Sequence, residues 1–326
     1  MRRREFIVGL SGAAALCPLA SQAQQAMPVI GVIEPRSPEA IADRIRGFRQ
    51  GLKDNGFVEG DNVAIEYRWA DGQFERLPQL AGELVRRGVT LIVATNTASA
   101  LAAKAATETI PIVFAVPEDP AKLGLVASIT RPSGNATGIN FFSQEVVTKR
   151  IELLRELLPR ATKFAVLVNP AAAVTTETTL REVAEAAPRM NLKIEVFNAG
   201  SSHEINGVFA RFARERPDAL YVGGDAFFPV RRSQLVNLAS RHAIPTTFGG
   251  REFVEAGGLM SYGPNLVEVW REVAAYASRI LKGTKPLDLP VLQAARFELV
   301  INAETARMLE LVIPAALLAR ADEVIE

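Results

Sequence analysis

The chain has 326 residues, of which 48% are hydrophobic, and this is enough to bury two cores of ordinary domain size. Its 37 Lys and Arg residues nearly balance 36 Asp and Glu residues, and without a basic stripe the sequence argues against a nucleic-acid partner. Two histidines without ligand-spaced neighbours and a single cysteine give little support to a metal site or to histidine-based catalysis, and we expect no cofactor.

Residues 1–26 predict an export signal that is cleaved from the mature protein. A basic segment at 2–4 precedes a mostly apolar segment at 6–16, and 21–23 offers small residues where a signal peptidase needs them. Cleavage near Ala23 would release a periplasmic protein. Paired arginines near the start leave both the general and the twin-arginine export routes open. The apolar segment is too short for a permanent bilayer anchor, so we expect no stable membrane insertion.

Short β-branched or aromatic runs alternate with segments of helical periodicity along the rest of the chain, which predicts an α/β fold. The predicted strands begin near Val29, Val63, Val89 and Ile112 in the first half and near Phe164, Ile194, Ala219 and Ile244 in the second. A long amphipathic helix over 267–281 and a last strand over 297–301 follow. The sequence therefore predicts two lobes, each built on a doubly wound parallel sheet.

Turn-rich segments predict where the chain passes from one lobe to the other. Gly, Pro, Asn and Ser cluster at 131–138, and the pattern changes again near Gly257 and Gly258. We expect the first lobe to comprise 27–138 and 260–289, and the second lobe to comprise 139–259 and 290–326. Several hinge crossovers between the lobes would allow closure without unfolding either core.

The loops that follow the strands are the candidate ligand-binding segments, because wound sheets bind ligands beyond the carboxyl ends of their strands. The candidates are Glu34, Thr95, Asn96, Thr97, Ser99 and Glu118 in the first lobe, and Asn169, Asp225, Phe227 and Arg251 in the second. Asp225 is the preferred partner for an amine, Phe227 could stack on a flat ligand, and Arg251 could pair with a carboxylate. Helix capping, core packing and a surface position are the respective alternatives.

Several segments resemble a known family in order along nearly the whole mature chain. They include Ile30-Gly31-Val32, Phe48-Arg49-Gln50-Gly51-Leu52, Asp119-Pro120, Pro132-Ser133-Gly134-Asn135-Ala136-Thr137-Gly138, Asn169-Pro170 and Phe297-Glu298-Leu299-Val300-Ile301-Asn302. The family is that of the extracytoplasmic substrate-binding proteins of ABC transporters, in the group with tryptophan- and aromatic-amino-acid-binding members. The resemblance implies a type I periplasmic-binding fold, a small ligand between the lobes and an ABC permease in the inner membrane as partner.

The sequence thus favours a solute-binding protein that closes around a small polar or amphipathic molecule, with an amino acid as the first expectation. A ligand-sensing periplasmic protein that signals to a membrane receptor is the alternative. An enzyme is disfavoured, because no dinucleotide fingerprint, phosphate-binding loop or nucleophile elbow occurs.

Overall fold

The computed structural model describes residues 27–141, 144–293 and 296–326, and the predicted export signal lies outside these ranges. The strands are, in chain order, β1 (Val29–Glu34), β2 (Ala64–Trp69), β3 (Leu91–Ala94), β4 (Ile112–Val116), β5 (Ala136–Asn140), β6 (Lys163–Val168), β7 (Lys193–Asn198), β8 (Ala219–Val222), β9 (Thr246–Phe248), β10 (Met260–Pro264), β11 (Leu292–Gln293), β12 (Phe297–Asn302) and β13 (Glu323–Ile325).

The α-helices are α1 (Ala42–Asp54), α2 (Leu77–Arg87), α3 (Thr97–Ala106), α4 (Gln144–Leu157), α5 (Ala173–Ala186), α6 (Ser202–Phe212), α7 (Phe227–Val230), α8 (Arg232–Arg241), α9 (Arg251–Glu255), α10 (Leu266–Leu281), α11 (Ala303–Met308) and α12 (Ala315–Leu318). Short 3-10 helices occur at Glu39–Ile41, Phe74–Arg76, Pro188–Met190 and Pro286–Asp288. Helices alternate with strands through most of both lobes, which is the pattern that produces parallel sheets.

The strands form two sheets, one in each lobe. The six-stranded sheet has the order β11-β5-β4-β3-β1-β2, and all of its neighbouring strands are parallel. The seven-stranded sheet has the order β13-β12-β10-β9-β8-β6-β7, and only the β10–β12 pair is antiparallel. The predicted α/β class with two wound, mainly parallel sheets is confirmed.

Three strands depart from the lobe boundaries that the sequence predicted. The first sheet runs past residue 138, because β5 continues to Asn140. Strand β10 was expected in the first lobe, but it lies in the second sheet between β9 and β12. Strand β11 was expected in the second lobe, but it pairs with β5 at the edge of the first sheet. The chain therefore crosses between lobes after β5, between β10 and α10, and after β11.

Helix α10 returns from the second sheet and completes the core of the first lobe by packing along α1. The Trp270 ring lies edge-on to Phe48, with 6.0 Å between the ring centroids, and both side chains are buried. The two helices approach so closely that a Cβ atom at Gly51 would lie 2.7 Å from the backbone oxygen of Arg271. A larger residue at Gly51 would therefore displace α10.

Candidate ligand-binding site

A cavity of about 380 Å³ lies between the two lobes, where the carboxyl ends of strands from both sheets meet. Its lining includes the loops after β3 and β4 in the first lobe and after β6, β8 and β9 in the second, together with side chains from α1, α4 and α10. Pro264 and Leu266, at the crossing between β10 and α10, also line it. This volume falls within the range of about 300–1,000 Å³ that is typical of small-molecule sites.

The first-lobe wall contains Thr95, Asn96 and Thr97 from the loop between β3 and α3. Asn96 caps α3: its Oδ1 accepts a hydrogen bond from the Ser99 backbone N–H at 2.9 Å, and its Nδ2 donates to Ser99 Oγ at 2.9 Å. Ser99 is fully buried beneath this cap and does not line the cavity. Asn96 thus caps α3, and its contact with a ligand stays a prediction.

Glu34 is fully buried behind the cavity wall rather than on it. Its carboxylate accepts hydrogen bonds from Arg36 Nε at 2.6 Å and Arg36 Nη2 at 3.0 Å, and from Thr95 Oγ1 at 2.8 Å. Arg36 and Thr95 both line the cavity. Glu34 therefore positions two cavity side chains and is itself screened from a ligand.

Asp225 lies on the second-lobe wall, in the loop between β8 and α7. Its Oδ1 accepts from the Phe228 backbone N–H at 2.8 Å, and its Oδ2 accepts from Asn169 Nδ2 at 2.7 Å. Burial raises the pKa of the Asp225 carboxyl to about 6, although these hydrogen bonds oppose the rise. Asn169 is buried and supports Asp225 from behind. Asp225 thus both caps a helix turn and presents a carboxylate to the cavity.

Three contacts join the lobes around the cavity. Arg44 Nη2 from α1 donates to Glu252 Oε1 from α9 at 2.5 Å. Thr175 Oγ1 from α5 donates to Glu118 Oε1, in the loop after β4, at 2.7 Å, and Glu118 also accepts from Thr97. Phe74 of the first lobe packs against hydrophobic cores of both lobes. Glu118 therefore lies at the interlobe contact beside the main cavity rather than on its lining.

Two predicted residues lie away from the cavity. Phe227 is buried in the core of the second lobe beside Phe228, so its core-packing alternative is the one that the structure shows. Arg251 forms ion pairs with Glu255 at 2.8 Å, Glu298 at 3.6 Å and Glu323 at 2.8 Å, and it is not part of the cavity lining. The expected pairing of Arg251 with a ligand carboxylate is therefore not supported, because its guanidinium is already paired with three carboxylates of the second lobe.

Residues 29–325 match the family described as "ABC transporter substrate binding protein". The chain belongs to this family. A similar protein is the tyrosine-binding protein of Clostridioides difficile (strain R20291), which is 27% identical over 282 residues, covering 86% of this chain and 81% of that protein.

Two solved structures illustrate how this substrate-binding protein compares with its relatives. One is the ABC domain in complex with L-Trp from Streptococcus pneumonia, with a TM-score of 0.83, 25% identity and coverage of 91% of this chain and 99% of that one. The other is the ligand-free, open structure of a substrate-binding protein with adhesive properties from Clostridium difficile, with the same identity and coverages but a TM-score of 0.65.

Several cavity residues of this substrate-binding protein were not predicted from the sequence. Aromatic side chains from both lobes form much of the wall, namely Phe74, Phe141, Tyr221, Phe253 and Trp270. Three arginines also line it: Arg36, Arg44 and Arg150. Most of these residues carry no local signal, because they reach the cavity from within a helix or a strand, whereas Arg36 and Phe141 lie in the segments that follow β1 and β5. Only Arg36 follows directly on a predicted strand, and its distance of two residues from Glu34 could have been noticed.

The described part of the binding protein offers no set of three or more His, Cys, Asp or Glu side chains grouped closely enough to hold a metal ion. None of the helices within those same ranges has the length and apolar character required to span a bilayer.

Proposed function

We propose that this protein is the extracytoplasmic receptor of an ABC importer, and that it captures a small amphipathic molecule by closing its two lobes around it. The observation that carries this proposal is the cavity of about 380 Å³ to which strand ends of both lobes contribute, flanked by hydrogen bonds between the lobes. A ligand that touches both walls stabilises only the closed arrangement, which is how binding becomes coupled to closure.

The arrangement described here corresponds to the closed state in this proposal. The structure superposes better on the relative that holds L-Trp than on the ligand-free, open relative, although identity and coverage are equal for the two. The contact between Arg44 and Glu252 and the contact between Thr175 and Glu118 both depend on approach of the lobes. Opening would expose all four of these side chains to water.

An amino acid with an apolar or aromatic side chain is the ligand class that the cavity favours. Asp225 offers a carboxylate to an ammonium group, and the aromatic walls offer flat apolar surface to a side chain. Two relatives support the class, since one is named as tyrosine-binding and another holds L-Trp. Export through the signal at 1–26 and transfer to an inner-membrane permease complete the proposed function.

The test is a panel of the twenty amino acids in a thermal-shift assay with the mature protein, followed by titration calorimetry and small-angle scattering of the compounds that bind. We expect at least one amino acid to raise the melting temperature, to bind with a dissociation constant in the micromolar range or below, and to reduce the radius of gyration. Uptake of that compound should fall when the gene is deleted. Absence of binding by all twenty would contradict the proposed ligand class.

A further inference from the structure

Arg150 is a buried cavity arginine whose role in the proposed function is not yet assigned. It extends from α4, is only 2% exposed, and lines the cavity. Its Nη1 donates to the Tyr221 hydroxyl at 3.0 Å, and its Nη2 donates to the backbone oxygens of Val222 at 2.7 Å and Thr247 at 3.0 Å. The guanidinium carbon lies 4.1 Å from the centre of the Tyr221 ring. These contacts fix the guanidinium in one orientation.

Part of the hydrogen-bonding capacity of this guanidinium is unused. A guanidinium has five N–H donors, and three of those of Arg150 have protein acceptors. The Nε atom is buried without an acceptor in the described part of the protein. Gly249 lies beside Nη1: a Cβ atom at this residue would be 3.6 Å from the nitrogen, and because glycine has none, that position is open. The remaining N–H group of Nη1 is therefore the one that a ligand atom in the cavity could reach.

The charge of Arg150 is also uncompensated, unlike that of the other two cavity arginines. Arg36 is paired with Glu34, and Arg44 is paired with Glu252. Across the described residues, no carboxylate lies within ion-pair distance of Arg150, and burial lowers the pKa of its guanidinium. Burial of an unpaired charge costs free energy that a nearby anion would offset.

The structural contacts of Arg150 use only part of what arginine brings to this place. The Val222 and Thr247 carbonyls and the Tyr221 hydroxyl take three of its five N–H donors. The Tyr221 ring offsets part of the positive charge, and a negative group beside the guanidinium would offset more of it. The cavity is the open side of the guanidinium from which such a group can approach.

We propose that Arg150 binds the carboxylate of the ligand through its positive charge and the unpaired N–H group of Nη1. This assignment rests on the proposed function and deepens it, because it makes the ligand a zwitterion whose two charged ends are bound by the second lobe. Asp225 is the partner for the ammonium group. It follows Val222, whose backbone oxygen accepts from Arg150, by three residues, so the Cα atoms of Val222 and Asp225 are at most about 11 Å apart. The side chains of Arg150 and Asp225 therefore lie on the same wall of the cavity.

The test compares three probes that differ only in their charged groups: L-tyrosine, tyramine, which lacks the carboxylate, and 3-(4-hydroxyphenyl)propionate, which lacks the amine. If another amino acid gives the largest thermal shift, its own amine and acid analogues replace this set. Titration calorimetry is performed on the wild type, R150Q, R150K and one control. The control is R251Q, which removes an arginine outside the main cavity.

We expect the wild type to bind the amino acid at least tenfold more tightly than the amine. R150Q should weaken binding of the amino acid and of the propionate by about 10- to 100-fold but leave the amine nearly unchanged, since a charge-assisted hydrogen bond contributes on this scale. The affinity of R150K for the amino acid should lie between those of the wild type and R150Q, and R251Q should bind all three probes as the wild type does. A merely structural role would weaken all three probes equally.

Equal binding of amine and amino acid by the wild type would overturn the assignment, and this comparison needs no variant that must fold. An equal loss for all probes in R150Q would also overturn it. In both cases the wild type still binds, so the proposed function stands. A wild type that binds no amino acid at all contradicts the proposed ligand class together with the role of Arg150.

Discussion

The hydrogen bond between Thr175 and Glu118 allows a direct test of the coupling between lobe closure and binding. In the T175V variant, a methyl group of nearly equal size replaces the hydroxyl that donates to Glu118 Oε1 at 2.7 Å across the lobes. Glu118 is 6% exposed, so this carboxylate oxygen would lose its partner in the closed state but regain water in the open state. The substitution should therefore shift the equilibrium toward the open state.

The size of this shift follows from the charge on the acceptor. Hydrogen bonds to charged groups contribute about 1.5–3 kcal/mol, and each 1.4 kcal/mol changes an equilibrium constant by about tenfold. The ratio of closed to open protein should fall by about 10- to 150-fold. Where the free protein is mostly open, the apparent dissociation constant of the ligand rises by the same factor.

Titration calorimetry with the amino acid from the panel measures the affinity, and small-angle scattering measures the radius of gyration with and without ligand. T176V is the matched control, because the neighbouring Thr176 donates to the Asn169 backbone oxygen at 2.6 Å within the second lobe. It should reduce the stability of that lobe but leave closure unchanged.

Thr175 also lines the cavity, so a double-mutant cycle separates closure from direct ligand contact. Glu118 is not on the lining of the main cavity, and in an E118Q background T175V should have much less effect on affinity. If T175V weakens binding equally in both backgrounds, or if its affinity stays within twofold of the wild type, the closure argument is refuted.

Three further outcomes are expected. Because burial raises the pKa of Asp225 to about 6, affinity for an amino acid should fall about tenfold per pH unit below pH 6, and calorimetry of D225N should show weak binding without this dependence. Burial also raises the pKa of Glu182 to about 7, and neither of its oxygens has a partner among the described residues. Between the ordinary glutamate pKa of 4.5 and about 7, Glu182 keeps a proton in the folded state that it has lost in the unfolded state. The free energy of unfolding should therefore decline as pH rises across this range. E182Q should be more stable than the wild type in urea at pH 8, by about 1–3 kcal/mol, with a smaller difference at pH 5. G51A should lower the free energy of unfolding by about 1–3 kcal/mol, because its methyl group meets the Arg271 backbone; an unchanged melting temperature would contradict the close packing of α1 and α10.

The strands that lie at the centre of each sheet could be predicted from the sequence because they are continuous apolar runs. The run at Ile112 coincides with β4, and the long helix predicted over 267–281 coincides within one residue with α10. The misplaced segments are short or irregular in composition. Strand β5 contains Gly138, which resembles a turn residue, but a Cβ atom there would lie 2.0 Å from the Phe114 backbone oxygen. Glycine at this position serves a close approach between strands rather than a turn.

The candidate site was predictable only where its residues follow strands. The rule about strand ends located Thr95, Asn96, Thr97 and Asp225, all of which line the cavity. It could not locate Arg150, because this side chain comes from a helix and crosses to the ends of two strands that lie 72 and 97 residues further along the chain. Periodicity describes neighbours within one element, whereas contacts of this kind depend on how whole elements are placed in the sheet.

The return of α10 to the first lobe has a consequence for biogenesis. A nascent chain that ends before Leu266 already contains the central strands of both sheets, but it lacks the helix that covers Phe48. During synthesis or translocation the second lobe can therefore form most of its sheet while the first lobe still exposes the apolar surface that α10 later covers. Maturation of the amino-terminal half must wait for the carboxyl-terminal quarter of the polypeptide, and any chaperone engaged in the interval has a defined surface to shield.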